Sequence, residues 1–143
     1  MADNNVIDNF KSVLRRAGYK VTPQRVAVLK EMMRTNGHCE SEEIYLAIKN
    51  CKIHVSRATV YRTLDLLVEN QFVRKLNLGD GKARYESKID RQHHDHLICD
   101  ACGTIFEFVD YEIEKLQEKI AREFQFILKR HTHQLFGICN KCQ

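Results

Sequence analysis

The chain has 143 residues, of which 43% are hydrophobic and 29% charged, and its formal net charge is +4. This composition is typical of a globular protein with one compact domain or two small ones, and it excludes a disordered or membrane-embedded chain. No apolar run approaches the roughly 20 residues that span a bilayer, and the N-terminus lacks a signal-peptide pattern, so we expect a cytoplasmic protein with no membrane partner. In that reducing compartment the six cysteines are expected to be metal ligands or free thiols.

The charge is distributed unevenly along the chain. Residues 1–86 carry a net charge of +5, whereas residues 87–143 carry −1. This asymmetry indicates that only the first half contacts a polyanion such as nucleic acid.

The first half is predicted to contain four helices. Apolar residues at the helical period over residues 6–17 indicate the first. Thr22 as N-cap and Pro23 at the first helical position begin the second, and the third begins around Ser41. Ser56 is a favourable N-cap for the fourth.

A β-hairpin is predicted after the fourth helix. FVRKLNL and KARYE alternate in polarity, and GDG separates them. Helices followed by a basic hairpin are typical of a winged helix-turn-helix. Tyr61 and Arg62 on the fourth helix lie away from its apolar stripe and could contact base edges and phosphates in a major groove. A small helical domain with an ordinary polar face is the alternative.

The second half is predicted to be a small α/β unit. The polar segment ESKIDRQ, residues 86–92, is typical of a hinge. HLIC and TIFEF are strand candidates, a helix is expected from about Tyr111 to Phe124, and a last strand from about Phe126 to Ile138. Some fifty residues bury too small a core for independent stability, so this unit needs a metal or a partner.

Two CxxC pairs, Cys99–Cys102 and Cys139–Cys142, predict a structural zinc site. Each pair can bind through two thiolates of one tight turn, and two pairs complete a tetrahedral four-sulfur site. The alternative, a thioredoxin-type redox pair, requires one CxxC at the start of a helix. Cys39 and Cys51 are expected to be buried or half-buried thiols.

The segment HHDH, residues 93–96, predicts two further metal sites. Alternate residues of an extended segment face opposite sides, so His94 and His96 share one side while His93 and Asp95 share the other. A solvated, histidine-rich turn is the alternative. Additional ligands must come from elsewhere, and the candidates are Glu86, Glu107, Glu114, His38, His131 and His133.

Several motifs together resemble the ferric uptake regulator (Fur) family of bacterial metal-sensing repressors. They are ATVYRTLDLL, HHDHLIC followed by x-x-CG, the second CxxC, GYKVTPQR at residues 18–25, and GHCESEEIY. The resemblance extends over nearly the whole chain. It implies an α+β fold, in which a winged helix-turn-helix over residues 1–85 is joined by a hinge, residues 86–92, to a metal-binding α/β dimerisation domain over residues 93–143. That second domain is expected to contain a three-stranded antiparallel sheet and a four-cysteine zinc site.

The resemblance also implies roles for individual residues. The regulatory metal site at the domain junction would consist of His38, Glu86, His94, His96 and Glu107. An additional site inside the dimerisation domain would consist of His93, Asp95, Glu114 and His131. Structural zinc would be bound by Cys99, Cys102, Cys139 and Cys142. The expected DNA contacts are Lys20, Arg57, Tyr61 and Arg62.

The expected function is Fe(II)-dependent repression of metal-uptake genes, with Mn(II) or Zn(II) as substitutes for the regulatory iron. Histidine with carboxylate suits all three ions, so availability decides among them. Peroxide-sensing relatives have aspartate where Glu86 and Glu107 stand, and zinc sensors commonly add a cysteine. The expected partners are a pseudo-palindromic double-stranded operator and a second copy of the chain, with a tetramer as an open alternative.

Three alternatives to this function stay open. One is a zinc- or peroxide-sensing member of the same family, and another is a zinc-stabilised DNA-binding module without metal sensing. An enzyme with a catalytic metal centre is disfavoured because the chain has neither an H-E-x-x-H helix nor a deaminase-type pairing of H-x-E with P-C-x-x-C.

Overall fold

The computed structural model describes residues 2–89 and 92–143, with side chains from residue 4 onward. The chain divides into two compact units, Met1–Arg91 and Gln92–Gln143. The described residues form five helices and two three-stranded sheets. None of these helices is both long enough and apolar enough to span a bilayer.

The first unit contains four helices and three strands. They are α1 (Ala2–Arg16), α2 (Pro23–Arg34), β1 (His38–Cys39), α3 (Ser41–Asn50), α4 (Arg57–Glu69), β2 (Val73–Asn77) and β3 (Ala83–Ser87). The predicted helix starts are confirmed. The hydroxyl of Thr22 accepts the backbone N–H of Arg25 at 3.4 Å, and that of Ser56 accepts the N–H of Thr59 at 3.1 Å.

One apolar face of α4 supplies much of the core of this unit. Val60, Leu64 and Leu67 are fully or almost fully buried, together with Phe10 of α1 and Leu29 of α2. Burial of a leucine side chain contributes about 1.5–3 kcal/mol. Because the core fixes this face of α4, the opposite face is presented to solvent.

The wing is the antiparallel pair of β2 and β3, in which Asn77 lies opposite Ala83. Gly79 and Gly81 in the connecting turn have φ angles of +80° and +78°, a conformation that favours glycine. The strand β1 extends the sheet on the other edge of β3. It was not predicted, because two residues carry no detectable polarity pattern.

The first residues of the expected hinge belong to the sheet. Glu86 and Ser87 are the end of β3, and both are buried. Glu86 lies opposite Arg74 of β2 in the register, and its carboxylate is 3.8 Å from the Arg74 guanidinium. The polar character of this stretch therefore reflects a buried ionic contact at its start. Residues 90 and 91 of the expected hinge lie outside the described residues.

The second unit contains β4 (Asp95–Cys99), β5 (Ile105–Phe108), α5 (Tyr111–Glu123) and β6 (Gln134–Gly137). Its sheet has the order β5-β4-β6. Asp110 caps α5, since one carboxylate oxygen accepts the N–H groups of Glu112 at 2.8 Å and Ile113 at 3.3 Å. The predicted α+β class, a winged helix followed by a small α/β unit, is confirmed.

Two details of the second unit differ from expectation. The strand β6 lies parallel to β4, with Leu97 opposite Leu135, whereas a wholly antiparallel sheet was predicted. A parallel pair needs a long crossover, and β5 with α5 and residues 124–133 provides it. The last strand is also shorter than predicted, since residues 124–133 form no strand. Phe126 and Ile127, which the prediction placed in that strand, are exposed.

Candidate metal centres and nucleic-acid interface

The four predicted zinc cysteines lie together in the second unit. Cys99 ends β4 and Cys102 follows in the turn to β5, while Cys139 and Cys142 come after β6. Because β4 and β6 are parallel neighbours, both CxxC turns lie at the same end of the sheet. The four sulfur atoms lie within 4.8 Å of one another.

The surroundings of two of these sulfurs favour thiolates, whereas contact with the neighbouring Cys139 thiol raises the pKa of Cys142 to about 12. The backbone N–H of Cys139 donates to Sγ of Cys99 at 3.3 Å, and this is the main reason that the pKa of the Cys99 thiol falls to about 6. Contact between Sγ of Cys102 and the Thr104 hydroxyl, 3.1 Å away, lowers the pKa of Cys102 as well. Four converging sulfurs, two of them biased toward the ligating form, suit structural zinc.

A second group of ligand-type side chains is formed by His93, Asp95, Glu114 and His131. The Nε2 atoms of the two histidines are 2.8 Å apart, and each is within 3.2 Å of Oε1 of Glu114. Oδ1 of Asp95 lies 3.4 Å from His93 and 3.7 Å from His131. Two imidazoles and two carboxylates that converge in this way suit a divalent transition metal.

The predicted regulatory residues of the first unit form an adjacent pair. His38 of β1 and Glu86 of β3 are partners in the sheet register, and Nε2 of the histidine is 3.6 Å from Oε2 of the glutamate. The Glu86 side chain is 1% exposed. A buried carboxylate beside an imidazole and the Arg74 guanidinium is a fixed oxygen donor rather than a surface charge.

The predicted regulatory residues of the second unit lie around the start of β4. His96 of β4 is the register partner of Glu107 on β5, and Nε2 of His94 is 3.7 Å from Oε1 of Glu107. The rings of His94 and His96 meet edge to face at 5.0 Å between centroids. Within this unit, the structure thus brings two imidazoles and one carboxylate together.

The predicted DNA contacts are exposed on the first unit. Tyr61 and Arg62 lie on the solvent face of α4, and Lys20 lies just before α2. Arg57 is also exposed, but its guanidinium makes a two-pronged contact with the Glu42 carboxylate at 2.7 and 2.9 Å. It lies over the Tyr45 ring as well, 4.2 Å from the centroid. These contacts orient Arg57, whereas Arg62 extends from the helix toward solvent.

Two expectations about the remaining cysteines can be compared with the structure. Cys39 is buried, as predicted, with Sγ 3.9 Å from the sulfur of Met32, and burial raises its pKa to about 11. This environment favours a protonated thiol over a metal ligand. Cys51 is exposed, contrary to expectation, because it caps the C-terminus of α3 at the surface.

His133, a candidate metal ligand for which the sequence predicted no specific role, lies beside the second group. Nδ1 of His133 lies 3.7 Å from Oδ2 of Asp95. The sequence signal for this proximity is the spacing H-x-H at residues 131–133, which places both rings on one side of an extended segment. Arg74, the neighbour of Glu86, was missed because no motif marks it.

Comparisons with known proteins agree with this arrangement. The family described as the ferric uptake regulator family matches residues 16–136. The ferric uptake regulation protein of Campylobacter upsaliensis is 42% identical over 139 residues, which is 96% of this chain and 88% of that protein. The protein of the same description from Bacillus subtilis is 38% identical over 141 residues, 96% of this chain and 95% of that one.

The Helicobacter pylori ferric uptake regulator Fur, whose structure is described as revealing three functional metal binding sites, superposes with a TM-score of 0.85. It is 32% identical, and the match covers 99% of this chain and 93% of that one. The fold, the matched span and the identities lead to one conclusion. The chain belongs to the ferric uptake regulator family of metal-dependent transcription regulators.

Proposed function

We propose that this protein is an Fe(II)-dependent repressor in which one regulatory metal takes ligands from both units. The ligands are His38 and Glu86 from the first unit, and His94, His96 and Glu107 from the second. The observation that carries the proposal is that each unit holds its own part of a nitrogen-and-oxygen ligand set close together, with no cysteine in the set. The absence of sulfur from that set favours iron or manganese over a thiolate-dependent zinc sensor.

The proposed ligands give the metal a mechanical role. A bound divalent cation supplies a link that side chains of both units share. His38 and Glu86 anchor it to the sheet that carries the wing, and His96 and Glu107 anchor it to the sheet of the second unit. The link restricts the relative orientation of the units, so metal and operator favour the same state. Their coupling is about 1–3 kcal/mol and must be reciprocal.

The DNA-binding surface of the proposal is the exposed face of α4 together with Lys20, which precedes α2 and lines the same cavity as Ser56 and Thr59 at the start of α4. Tyr61 and Arg62 are proposed to enter the major groove, Arg57 to contact the DNA backbone, and Lys20 to reach the minor groove. The net charge of +5 over residues 1–86, against −1 over the rest of the chain, supports this choice. The protein is thus a regulator of transcription that works in the cytoplasm, not an enzyme.

A homodimer is proposed because a pseudo-palindromic operator requires two recognition helices. Support comes from apolar side chains of the second unit that its own fold leaves exposed. Leu116 and Ile120 of α5 are 56% and 48% exposed, and Phe106 and Phe136 of the sheet are 45% and 49% exposed. Whether dimers pair into tetramers is a separate question that size measurements at rising concentration answer.

The proposal is tested by selecting a duplex from randomised DNA with the Mn(II)-loaded protein and titrating that duplex with and without Fe(II) or Mn(II). Operator binding that tightens with metal in the wild type, but no longer in His38→Ala, is expected. The variant should keep its zinc content and its oligomeric state. Metal-independent binding by the wild type would instead support a zinc-stabilised DNA-binding module, and undiminished activation of the variant would remove His38 from the sensing site.

A further inference from the structure

His133 and Asp95 carry two buried polar atoms that face each other without other partners. Oδ2 of Asp95 and Nδ1 of His133 are both inaccessible to solvent, and among the described residues neither atom has a hydrogen bond. The distance between them is 3.7 Å. A buried carboxylate oxygen without a donor is strongly unfavourable, and the atom best placed to supply a proton is Nδ1 of His133.

The two oxygens of Asp95 have different surroundings. Oδ1 is directed to the ligand group, 3.4 Å from Nε2 of His93 and 3.7 Å from Nε2 of His131. Oδ2 is directed to His133. His131 and His133 come from one extended segment and lie two residues apart, so they approach the carboxylate from the same side and reach opposite oxygens.

His133 is held in place by contacts of its own. Its ring meets the Phe108 ring edge to face, with 6.0 Å between centroids, and its carbonyl accepts the backbone N–H of His96 at 3.3 Å. His93, Asp95, Glu114 and His131 have ligand atoms within 4.8 Å of one another, and His133 is not a member of that group. Its position is therefore that of a neighbour to a ligand and not of a ligand.

We propose that His133 is a positioning residue that donates Nδ1–H to Oδ2 of Asp95, so that Asp95 offers a metal only its other oxygen, Oδ1. A small rotation of either side chain closes 3.7 Å to a charge-assisted hydrogen bond. A carboxylate restricted to one oxygen suits iron, manganese or zinc with few ligands. It disfavours Ca2+, which takes six to eight oxygens and often both atoms of a carboxylate. The inference rests on the proposal that His93, Asp95, Glu114 and His131 bind a metal.

The test measures Mn(II) binding by calorimetry on the full chain with zinc in the cysteine site. Glu114→Gln replaces an anionic ligand with a much weaker neutral one and identifies the binding event that belongs to this group. His133→Leu should weaken the same event about 10–100-fold, as loss of a hydrogen bond to a ligand does, and leave any other event unchanged. His133→Asn should restore much of the affinity, because its amide nitrogen can donate from nearly the position of Nδ1. Thr132→Val, an exposed neighbour, is the matched control.

Because His133→Leu leaves the buried Oδ2 of Asp95 without a donor, its melting temperature without Mn(II) should fall, and His133→Asn should restore much of it. Mn(II) affinities are therefore compared well below the melting temperature of each variant, where a merely structural role leaves binding unchanged. Reduced affinity in His133→Leu with no rescue by asparagine overturns the inference. Wild-type Mn(II) affinity in His133→Leu, when Glu114→Gln has lost the event, overturns the positioning role alone. Wild-type affinity in Glu114→Gln overturns both this role and the metal site on which it rests.

Discussion

His38 and Glu86 face each other across β1 and β3, with Nε2 and Oε2 3.6 Å apart, although they are 48 residues apart in the sequence. We therefore expect Glu86→Gln to keep the fold, since glutamine has the same shape, but to lose most of the metal activation of DNA binding. A loss of about 1–3 kcal/mol in coupling is expected. Operator titrations with and without Mn(II) measure it. Glu40→Gln, which alters an ion pair with Lys82 instead, should behave as wild type.

Arg62→Ala should weaken operator binding without affecting metal uptake. Arg62 is exposed on α4, and an arginine that contacts a guanine contributes about 1–3 kcal/mol per half-site. If it contacts phosphate only, affinity falls equally for all sequences and the salt dependence becomes shallower. Fluorescence anisotropy with matched and mismatched duplexes separates these outcomes. Arg34→Ala is the control, and wild-type affinity in Arg62→Ala would remove α4 from the interface.

Cys99→Ser should destabilise the second unit. The substitution removes one of four sulfurs, and structural zinc can supply on the order of 10 kcal/mol to folding. A strong chelator should produce the same loss in the wild type. Zinc content and thermal unfolding measure both effects. Cys51→Ser, at an exposed position, should leave both unchanged, and equal damage from the two substitutions would show that the zinc ligands are misassigned.

Cys39 should make the first unit sensitive to alkaline pH. Burial raises its pKa to about 11 from the ordinary 9.0, so the thiol of the unfolded chain ionises first. The stability that the protonated thiol contributes is complete below pH 9 and is lost as pH rises toward 11. Urea unfolding measured across this pH range should show that the free energy of unfolding falls less steeply with pH in Cys39→Ala than in the wild type. An unchanged slope would argue against this origin, and Cys51→Ala serves as control.

Leu116→Glu should dissociate the proposed dimer. The side chain is 56% exposed on α5, and a charge at an apolar interface cannot be desolvated without a partner. Sedimentation of the zinc-loaded protein at micromolar concentration should show a dimer in the wild type and a monomer in the variant. Lys119→Glu, on the same helix and 65% exposed at its side chain, should remain dimeric. A monomeric wild type would contradict the dimer itself.

Local chemistry explains which features the sequence could predict. Thr22 and Ser56 cap helices through hydrogen bonds to residues only three positions further along the chain. Each CxxC pair places two sulfur ligands in one tight turn. The sequence carries no comparable signal for the pairing of strands that lie far apart along the chain. The strand β1 is too short for a pattern, and the direction of β6 depends on the crossover that precedes it. The polar residues around Glu86 were assigned to a hinge, because residues that form a buried ionic contact are as polar as those of a linker.

The parallel pairing of β4 with β6 also bears on how quickly the second unit can form. The two strands are separated by β5, α5 and residues 124–133, so their contact requires closure of a long loop before any of its hydrogen bonds form. Such non-local pairing slows folding, because the entropy of closure is lost first. Cys99 and Cys102 can bind zinc as soon as their turn forms, and the ion then captures Cys139 and Cys142 when they come near. The rate at which active protein appears after synthesis should therefore follow the zinc supply of the cell, even when iron is plentiful.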